Sequence, residues 1–367
     1  MTRRKYIQKM VQAFQAAMAW NLLAGCSLPR AGNLTVTEKD LHYRPLNGRR
    51  MVDLVQARIH HGPNRFLSPF SNLDRRNSLR VLRWKLFSTN THRQHYDSEQ
   101  VQPVNIDWQS IRTGNDLSVT LIKHAGILIK DQDTYLLIDP VFRKIFWFIE
   151  DFTPLNGNLK DMPKIDHVLL THGHYDHIDV DSLTQLDPTT HAILPLGYND
   201  IFDGLGMRNR HHLDWFESYH SNGQEIIFVP CNHWTMRNPF IGPNTGLWGS
   251  YIIRTKSGAT IYIAGDTGYF DGFTELGEMY DIDLAIFNLG AYEPRWFMAP
   301  SHMNPEETYR AFQELGARNL MLAHWGTFRL GDEPVHFPPI DMQRVLAENM
   351  VEEQFIHINH GQTVIYG

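Results

Sequence analysis

The chain has little cysteine: Cys26 and Cys231 are the two in 367 residues. Two thiols cannot build a disulfide framework, a cysteine-rich zinc finger or an iron–sulfur cluster. No run of about 18 apolar residues is present, so no transmembrane helix is expected. Positive charge is not in excess either. Lys and Arg number 34 against 40 Asp and Glu, a formal net charge of −6, which argues against general nucleic-acid binding. There is no low-complexity tract and no repeat of fixed period. What remains is an ordinary globular composition, long enough for one large domain or two modest ones. The abundance lies in histidine, with 20 residues. Histidine is the commonest metal ligand and a frequent acid–base group, so its clusters repay attention.

The first segment, "MTRRKYIQKM", is basic, and "VQAFQAAMAWNLLAGC" is moderately apolar and ends at Cys26. Leu23-Ala24-Gly25-Cys26 resembles a bacterial lipobox, whose cysteine is acylated and becomes the new N-terminus. Thr2 to Ile7, with Arg3-Arg4, resembles a twin-arginine export signal. Val11, Phe14 and Met18 also recur at helical spacing, as on an amphipathic surface helix. The arginine pair and the four-residue box together favour the signal. On that reading residues 1–25 are removed, Cys26 is lipidated, and the chain is a periplasm-facing lipoprotein anchored in the bacterial cell envelope. A cytoplasmic, membrane-associated protein is the alternative.

Residues 26–115 are irregular, rich in Arg, Asn, Pro and His, with one helix-like stretch at "LRVLRWKLF". They carry too few apolar residues to fold alone and read as an N-terminal extension wrapping a core. Residues 116–367 change character to short β-rich runs: "LSVTLIKHAGILIK", "TYLLIDPVF", "IDHVLLTH", "HAILPLG", "EIIFVPCNHW", "SYIIRT", "ATIYIAGD", "LAIFNLG" and "NLMLAHWG". The clearest helix is "NPEETYRAFQELG", with Asn304 as N-cap, Pro305 at N1, Glu307 at N3 and Gly316 as stop. Two groups of strands with interspersed helices predict an α/β sandwich.

One stretch, "LLTHGHYDHIDVD", orders His172-Gly173-His174-Tyr175-Asp176-His177 directly behind an apolar run. His172, Asp266 and His324 each follow a strand-like run within two residues, and His233 follows "EIIFV" a little later. Side chains at strand ends can converge on one sheet edge, held by a rigid scaffold. His172, His174, Asp176, His177, His233, Asp266 and His324 together offer five imidazoles and two carboxylates. That set suffices for two zinc ions with three protein ligands each and a shared carboxylate, leaving positions open for water. A helix-entry loop with Asp caps would explain Asp179 but not the ordered set.

His-x-His-x-Asp-His, a strand-end His, the Asp of "AGD" and a late strand-end His resemble the ligand pattern of the metallo-β-lactamase superfamily. The resemblance implies an αββα sandwich in which His172, His174 and His233 hold one zinc. Asp176, His177 and His324 would hold the other, with Asp266 bridging. A carboxylate at the bridging position disfavours a drug-hydrolysing lactamase, and His174 in place of Glu disfavours the oxygen-reducing di-iron branch. "HAGILIK", "FVPCNHWTMR", "YIAGDTGYFDGF", "FNLGAYEPRWFM", "SHMNPEETYRAF" and "LAHWGTFRL" resemble the N-acyl-phosphatidylethanolamine-hydrolysing phospholipase D family and its bacterial relatives. The likeness runs over roughly residues 60–365 and breaks at 141–158, "VFRKIFWFIEDFTPLNGN".

The family implies a phosphodiesterase acting on N-acyl-phosphatidylethanolamine or a related phospholipid through a metal-bridging hydroxide that Asp266 orients. It also places His302 beside the site, as a phosphate contact or proton donor. Tyr175, Trp234 and Tyr292 are candidates for the pocket wall, although aromatics beside a core more often pack. Trp147, Phe148, Trp296 and Phe297 fall in expected loops, where exposure would suit a membrane surface. Cys231 reads as a small buried residue. The alternative is a lactonase or phosphate-ester hydrolase on a small soluble substrate. A non-catalytic zinc scaffold and a tRNA-processing ribonuclease are weaker readings. Self-association is left open.

Overall fold

The computed structural model describes residues 42–71, 84, 90–114 and 116–366. The export signal, the lipobox with Cys26 and most of "LRVLRWKLF" lie outside them. Fourteen strands, numbered along the chain among these residues, form two sheets of seven. The first sheet contains β1 (Ser118–Lys123), β2 (Gly126–Asp131), β3 (Thr134–Ile138), β4 (His167–Leu169), β5 (His191–Pro195), β6 (Arg210–Leu213) and, last in the chain, β14 (Thr363–Ile365). Its spatial order is β14-β1-β2-β3-β4-β5-β6. The second contains β7 (Ser218–Ser221), β8 (Gln224–Val229), β9 (Ser250–Arg254), β10 (Thr260–Ile263), β11 (Leu284–Asn288), β12 (Asn319–Ala323) and β13 (Phe355–Ile356), in that spatial order.

Each sheet is antiparallel through its first four strands and parallel through the rest, from β3 to β6 and from β10 to β13. All nine quoted β-rich runs contain these strands, the longest of them folding into both β1 and β2. Strands β6, β7, β13 and β14 were not among them.

Alternation explains the layering. Val119, Leu121, Ile127, Ile129, Leu136 and Ile138 join the cluster between the sheets. Their neighbours Ile122, Leu128 and Leu137 face a second cluster with Leu183 and Phe202, from the helices Val180–Leu183 and Asn199–Leu205. Side chains two apart share a face, so one strand serves both layers. On the second sheet, Phe273, Phe312 and Met342 bring in the helices Gly272–Met279, Pro305–Leu315 and Phe337–Glu348. The result is an αββα sandwich.

Pro305–Leu315 starts and stops as its sequence dictates. The Asn304 side chain accepts the Glu307 N–H, the Glu307 carboxylate accepts the Asn304 N–H, and Gly316 closes the helix at φ 65°. That reciprocal cap satisfies two otherwise orphaned donors. The residues before β1 are less irregular than expected, since Met51–Gln56 and Trp108–Thr113 are helical. Met51, Val55 and Phe70 are buried in the main cluster, and Glu275 accepts the N–H groups of Met51 and Val52.

The "RWFMAP" stretch is a correction. Arg295–Met298 is a short helix rather than a loop, because Trp296 and Phe297 pack against Trp84 and become half-buried. Trp147 and Phe148 do stand out, 77% and 61% exposed.

Candidate metal centre

Both sheets deliver titratable side chains to one place. The loop after β4 brings His172, His174, Asp176 and His177; the segments after β8, β10 and β12 bring His233, Asp266 and His324. Donor atoms fall into two groups, each within 4.8 Å: His172, His174, His233 and Asp266, and His124, Asp176, His177 and His324. Asp266 faces both. Its Oδ2 lies 3.2 Å from His177 Nε2, 3.8 Å from His172 Nε2 and 3.9 Å from His233 Nε2, and its Oδ1 lies 3.4 Å from His324 Nε2.

Glycine at position 173 follows from crowding. A Cβ there would come within 2.6 Å of Tyr198 Cε1 and 2.7 Å of Thr235 Oγ1. The Gly173 N–H instead donates to Thr235 Oγ1 at 2.9 Å, which seats the loop against the second sheet's side. Asp179 caps the following helix by accepting the Ser182 N–H.

Hydrogen bonds fix the tautomers. Asp139, one residue past β3, can only accept as a carboxylate, so His177 donates from Nδ1 at 2.8 Å. Thr171 donates its N–H and its hydroxyl to the same carboxylate. The Thr171 oxygen then accepts from His172 Nδ1 at 3.0 Å. His233 Nδ1 donates to the Ser301 carbonyl at 3.0 Å. In neutral rings each of these leaves Nε2 with a bare lone pair. The Nε2 atoms of His172 and His233 meet His174 Nδ1 at 2.9 and 3.2 Å. Among the described residues, the buried Nε2 atoms of His177 and His324 have no hydrogen-bond partner. Converging lone pairs beside two carboxylates fit a divalent cation, and partners on the far nitrogens are what orients ligating histidines.

The charge balance agrees. Burial would raise the Asp176 and Asp266 carboxyls, but His177 and the neighbouring imidazoles hold both well below the usual range. Burial would lower His177, yet Asp266, Asp176 and Asp139 hold it well above an ordinary imidazole. A proton on His177 thus does, in the bare protein, what a cation would do. His172 and His233 are pushed far down, by burial first.

Two contributors carried no assigned role in the sequence reading. Asp139 is one. His124, one residue past β1, is the other: its Nε2 donates to Asp176 Oδ2 at 3.2 Å, and burial and His324 push its pKa down to about 3. Both occupy the same kind of strand-end position as the ligands, the one signal that could have found them. Asn288 adds a hydrogen bond to Asp266 Oδ1 at 2.9 Å.

A cleft of about 210 Å³ opens beside the donors. His174, Asp176, Asp266, Ser301 and His302 supply its polar lining; Trp234, Ala291, Phe297, Met298 and Leu330 supply apolar wall. Four of those five also belong to the small apolar cluster around Trp84. His302 Nδ1 stands 4.0 Å from Asp266 Oδ2. The two expected tyrosines do not line the cleft. Tyr292 is buried with its hydroxyl on Asp341 at 2.7 Å, drawn into the core by that acceptor. Tyr175 gives its hydroxyl to the Arg237 carbonyl and its ring to the Arg237 guanidinium, 4.1 Å from the centroid. Cys231 is buried and donates to the Asp266 carbonyl, its thiol pushed upward by burial.

Two mixed sheets, helices outside and His and Asp donors gathered from both sheets define a metal-dependent hydrolase of the metallo-β-lactamase fold. The chain belongs to that superfamily: the family model described as "Beta-lactamase superfamily domain" matches residues 134–325. More particularly, it is a relative of the N-acyl-phosphatidylethanolamine-hydrolyzing phospholipases D. It is 30% identical over 280 residues to phospholipase D 1 of that kind from Caenorhabditis elegans, covering 70% of this chain and 78% of the relative. An uncharacterized protein of Mycobacterium tuberculosis is 29% identical over 351 residues, 90% of each chain. Among solved structures, a possible metal-dependent hydrolase from Veillonella parvula aligns with a TM-score of 0.57 at 18% identity, covering 68% of this chain and all of that one, and attests the fold.

Proposed function

We propose that the chain is a two-zinc phosphodiesterase of phospholipase D type, hydrolysing N-acyl-phosphatidylethanolamine or a related phospholipid. The cleft carries the reading: the candidate metal ligands His174, Asp176 and Asp266, whose bound cations would suit a phosphate, share one lining with apolar residues continuous with the Trp84 cluster. A substrate with a charged scissile group and a lipid remainder matches both parts of that lining. The activity in the C. elegans relative's name points the same way. His172, His174 and His233 would hold one ion, Asp176, His177 and His324 the other, and Asp266 would be shared. When bound, the ions would supply Lewis acidity and an activated water.

The remaining work falls to the chain's own groups. Asp266, buried and held by Asn288, would orient the attacking water and accept its proton. As the bond from phosphorus to the leaving alcohol breaks, that oxygen needs a hydrogen-bond donor within reach. His302 borders the cleft, with burial pushing its pKa down to about 4. A nearby cation would push further in the same direction, so His302 would serve as a neutral N–H hydrogen-bond donor to that oxygen, and the proton Asp266 takes from the water would pass to the leaving alcohol. The exposed Trp147 and Phe148 stand one ring away from the metal loop, since their neighbour Phe146 packs on Tyr175 at 5.3 Å. With exposed Arg143 and Lys144 beside them, they suit contact with a phospholipid surface.

The test is metal content and turnover of N-acyl-phosphatidylethanolamine vesicles on one purified sample, with His174→Ala as control. Two or more zinc ions per chain and release of N-acylethanolamine, lost in the variant, supports the proposal. Zinc without lipid turnover shifts the reading to a lactonase or phosphate-ester hydrolase on a small soluble substrate, which the modest cleft volume would admit. We place the mature chain on the periplasmic side, anchored through Cys26. Cys26→Ala should move it from the membrane to the soluble fraction, and retention with unchanged mobility sinks that placement.

A further inference from the structure

A second group of metal-type donors lies away from the catalytic set and shares no residue with it. His60 and His61 come from the segment before β1, and Asp214 follows β6 directly. His60 Nε2 lies 2.8 Å from Asp214 Oδ1, and His61 Nε2 lies 2.7 Å from Asp214 Oδ2. The three donor atoms are within 4.8 Å of one another. We infer that His60, His61 and Asp214 form a binding site for a divalent transition-metal ion such as zinc, distinct from the catalytic centre.

Geometry is the first argument. Two adjacent imidazoles present the same nitrogen to the two oxygens of one carboxylate, from segments more than 150 residues apart. Their rings are already fixed. His60 stacks on Trp215 at 4.5 Å and 24°, His61 meets Phe66 edge-on at 5.3 Å, and the Trp215 N–H holds Asp214 Oδ1 at 2.8 Å. A site whose ligands are set beforehand loses little freedom on binding.

Chemistry is the second. Two imidazoles and one carboxylate are a borderline nitrogen–oxygen set that suits zinc, nickel or copper over calcium or magnesium. Binding requires each ring to carry its hydrogen on Nδ1, so that the Nε2 lone pair faces the ion. Access is the third. His60 is buried, but the His61 and Asp214 side chains are 24% and 15% exposed, so water can complete the coordination. Among the described residues the cation paired with Asp214 is Arg58, 69% exposed and 4.0 Å away, which leaves at little expense.

The location gives the ion a task. Phe66, bridged to His61, donates its N–H to the Asn244 carbonyl, and Asn244 donates to the Thr235 carbonyl. Thr235 in turn receives the Gly173 N–H of the metal loop. An ion at His60, His61 and Asp214 clasps the N-terminal segment to the β6 corner and steadies the 236–245 loop behind the catalytic donors.

The test strips the full-length chain of metal, titrates it with Zn²⁺ alone, and counts equivalents in wild type, His61→Ala, His174→Ala and the double variant. His61→Ala should bind one equivalent fewer than wild type, and the double variant one fewer than His174→Ala. In each pair the Kd of the missing equivalent weakens by more than about 100-fold, beyond what losing an outer partner does. Cu²⁺ added to His174→Ala should show a set of nitrogen couplings, beyond those of the remaining catalytic imidazoles, that the double variant lacks. Equal stoichiometry with and without His61 overturns the site, as does a Cu²⁺ spectrum unchanged by its loss. Neither outcome depends on the hydrolytic activity.

Discussion

Replacing Asp139 by Asn changes one oxygen to an amide group at a fully buried position outside the cleft lining. The carboxylate accepts three hydrogen bonds: Thr171 N–H on Oδ1, and the Thr171 hydroxyl and His177 Nδ1–H on Oδ2. An amide cannot serve all three. With its NH₂ at the Oδ1 place it opposes the Thr171 N–H, donor against donor. With its NH₂ at the Oδ2 place the Thr171 hydroxyl can turn to accept, but His177 must also accept at Nδ1 and carry its hydrogen on Nε2. That blocks the lone pair a bound ion would use. A buried group left unmatched costs about 1–3 kcal/mol. Loss of an outer partner to a ligating His costs about 10–100-fold in metal affinity, and at 1.36 kcal/mol per decade the two figures coincide. Competition with a chromophoric chelator measures the affinity, and urea unfolding of the metal-free chain measures the stability. Asp139→Asn with both values unchanged would refute the tautomer assignment.

Glu333 accepts the N–H groups of Tyr292 and Glu293 at 3.2 and 3.0 Å, and burial pushes its pKa from 4.5 up to about 7. The native chain therefore holds this proton more tightly than the unfolded one, so this group's contribution to stability is whole below about pH 4.5 and lost as pH rises through 7. The loss amounts to about 3 kcal/mol at most. Urea midpoints at pH 5 and pH 8 should differ in wild type and converge in Glu333→Gln, which starts lower because its amide opposes one of the two N–H donors. Gly173→Ala drives a methyl group into Tyr198 and Thr235; the expected result is about 1–3 kcal/mol of destabilisation and reduced metal content, checked by thermal unfolding and elemental analysis. Full metal occupancy in that variant would contradict the crowding argument.

The fold was legible where burial is complete. Every strand with neighbours on both sides is apolar enough to read directly. The four unread strands, β6, β7, β13 and β14, are the four sheet edges. "RHHL" and "SYHS" are half-exposed and polar, as edges need to be to avoid pairing with other chains. The ligands were legible because their order survives in one dimension. Asp139 and His124 were not, since nothing in "IDP" or "KHAG" says which donors they will hold once β1, β3 and β4 lie together. Tyr292 misled for the converse reason: its acceptor, Asp341, is 49 positions away.

The matching pairing patterns of the two sheets make one half of the molecule a rotated echo of the other. Laid on each other, β14 through β6 and β7 through β13 put β1 opposite β8 and β3 opposite β10. His124 then corresponds to His233, and Asp139 to Asp266. A histidine and an aspartate follow the same two strands in each half, yet the duties differ. In the second half they face the ion donors directly; in the first they stand behind, His124 on Asp176 and Asp139 on His177. One architectural plan, used twice with no detectable repeat in sequence, has thus given its matching histidine and aspartate different duties: donors in the second half, supports for the donors of the β4 loop in the first.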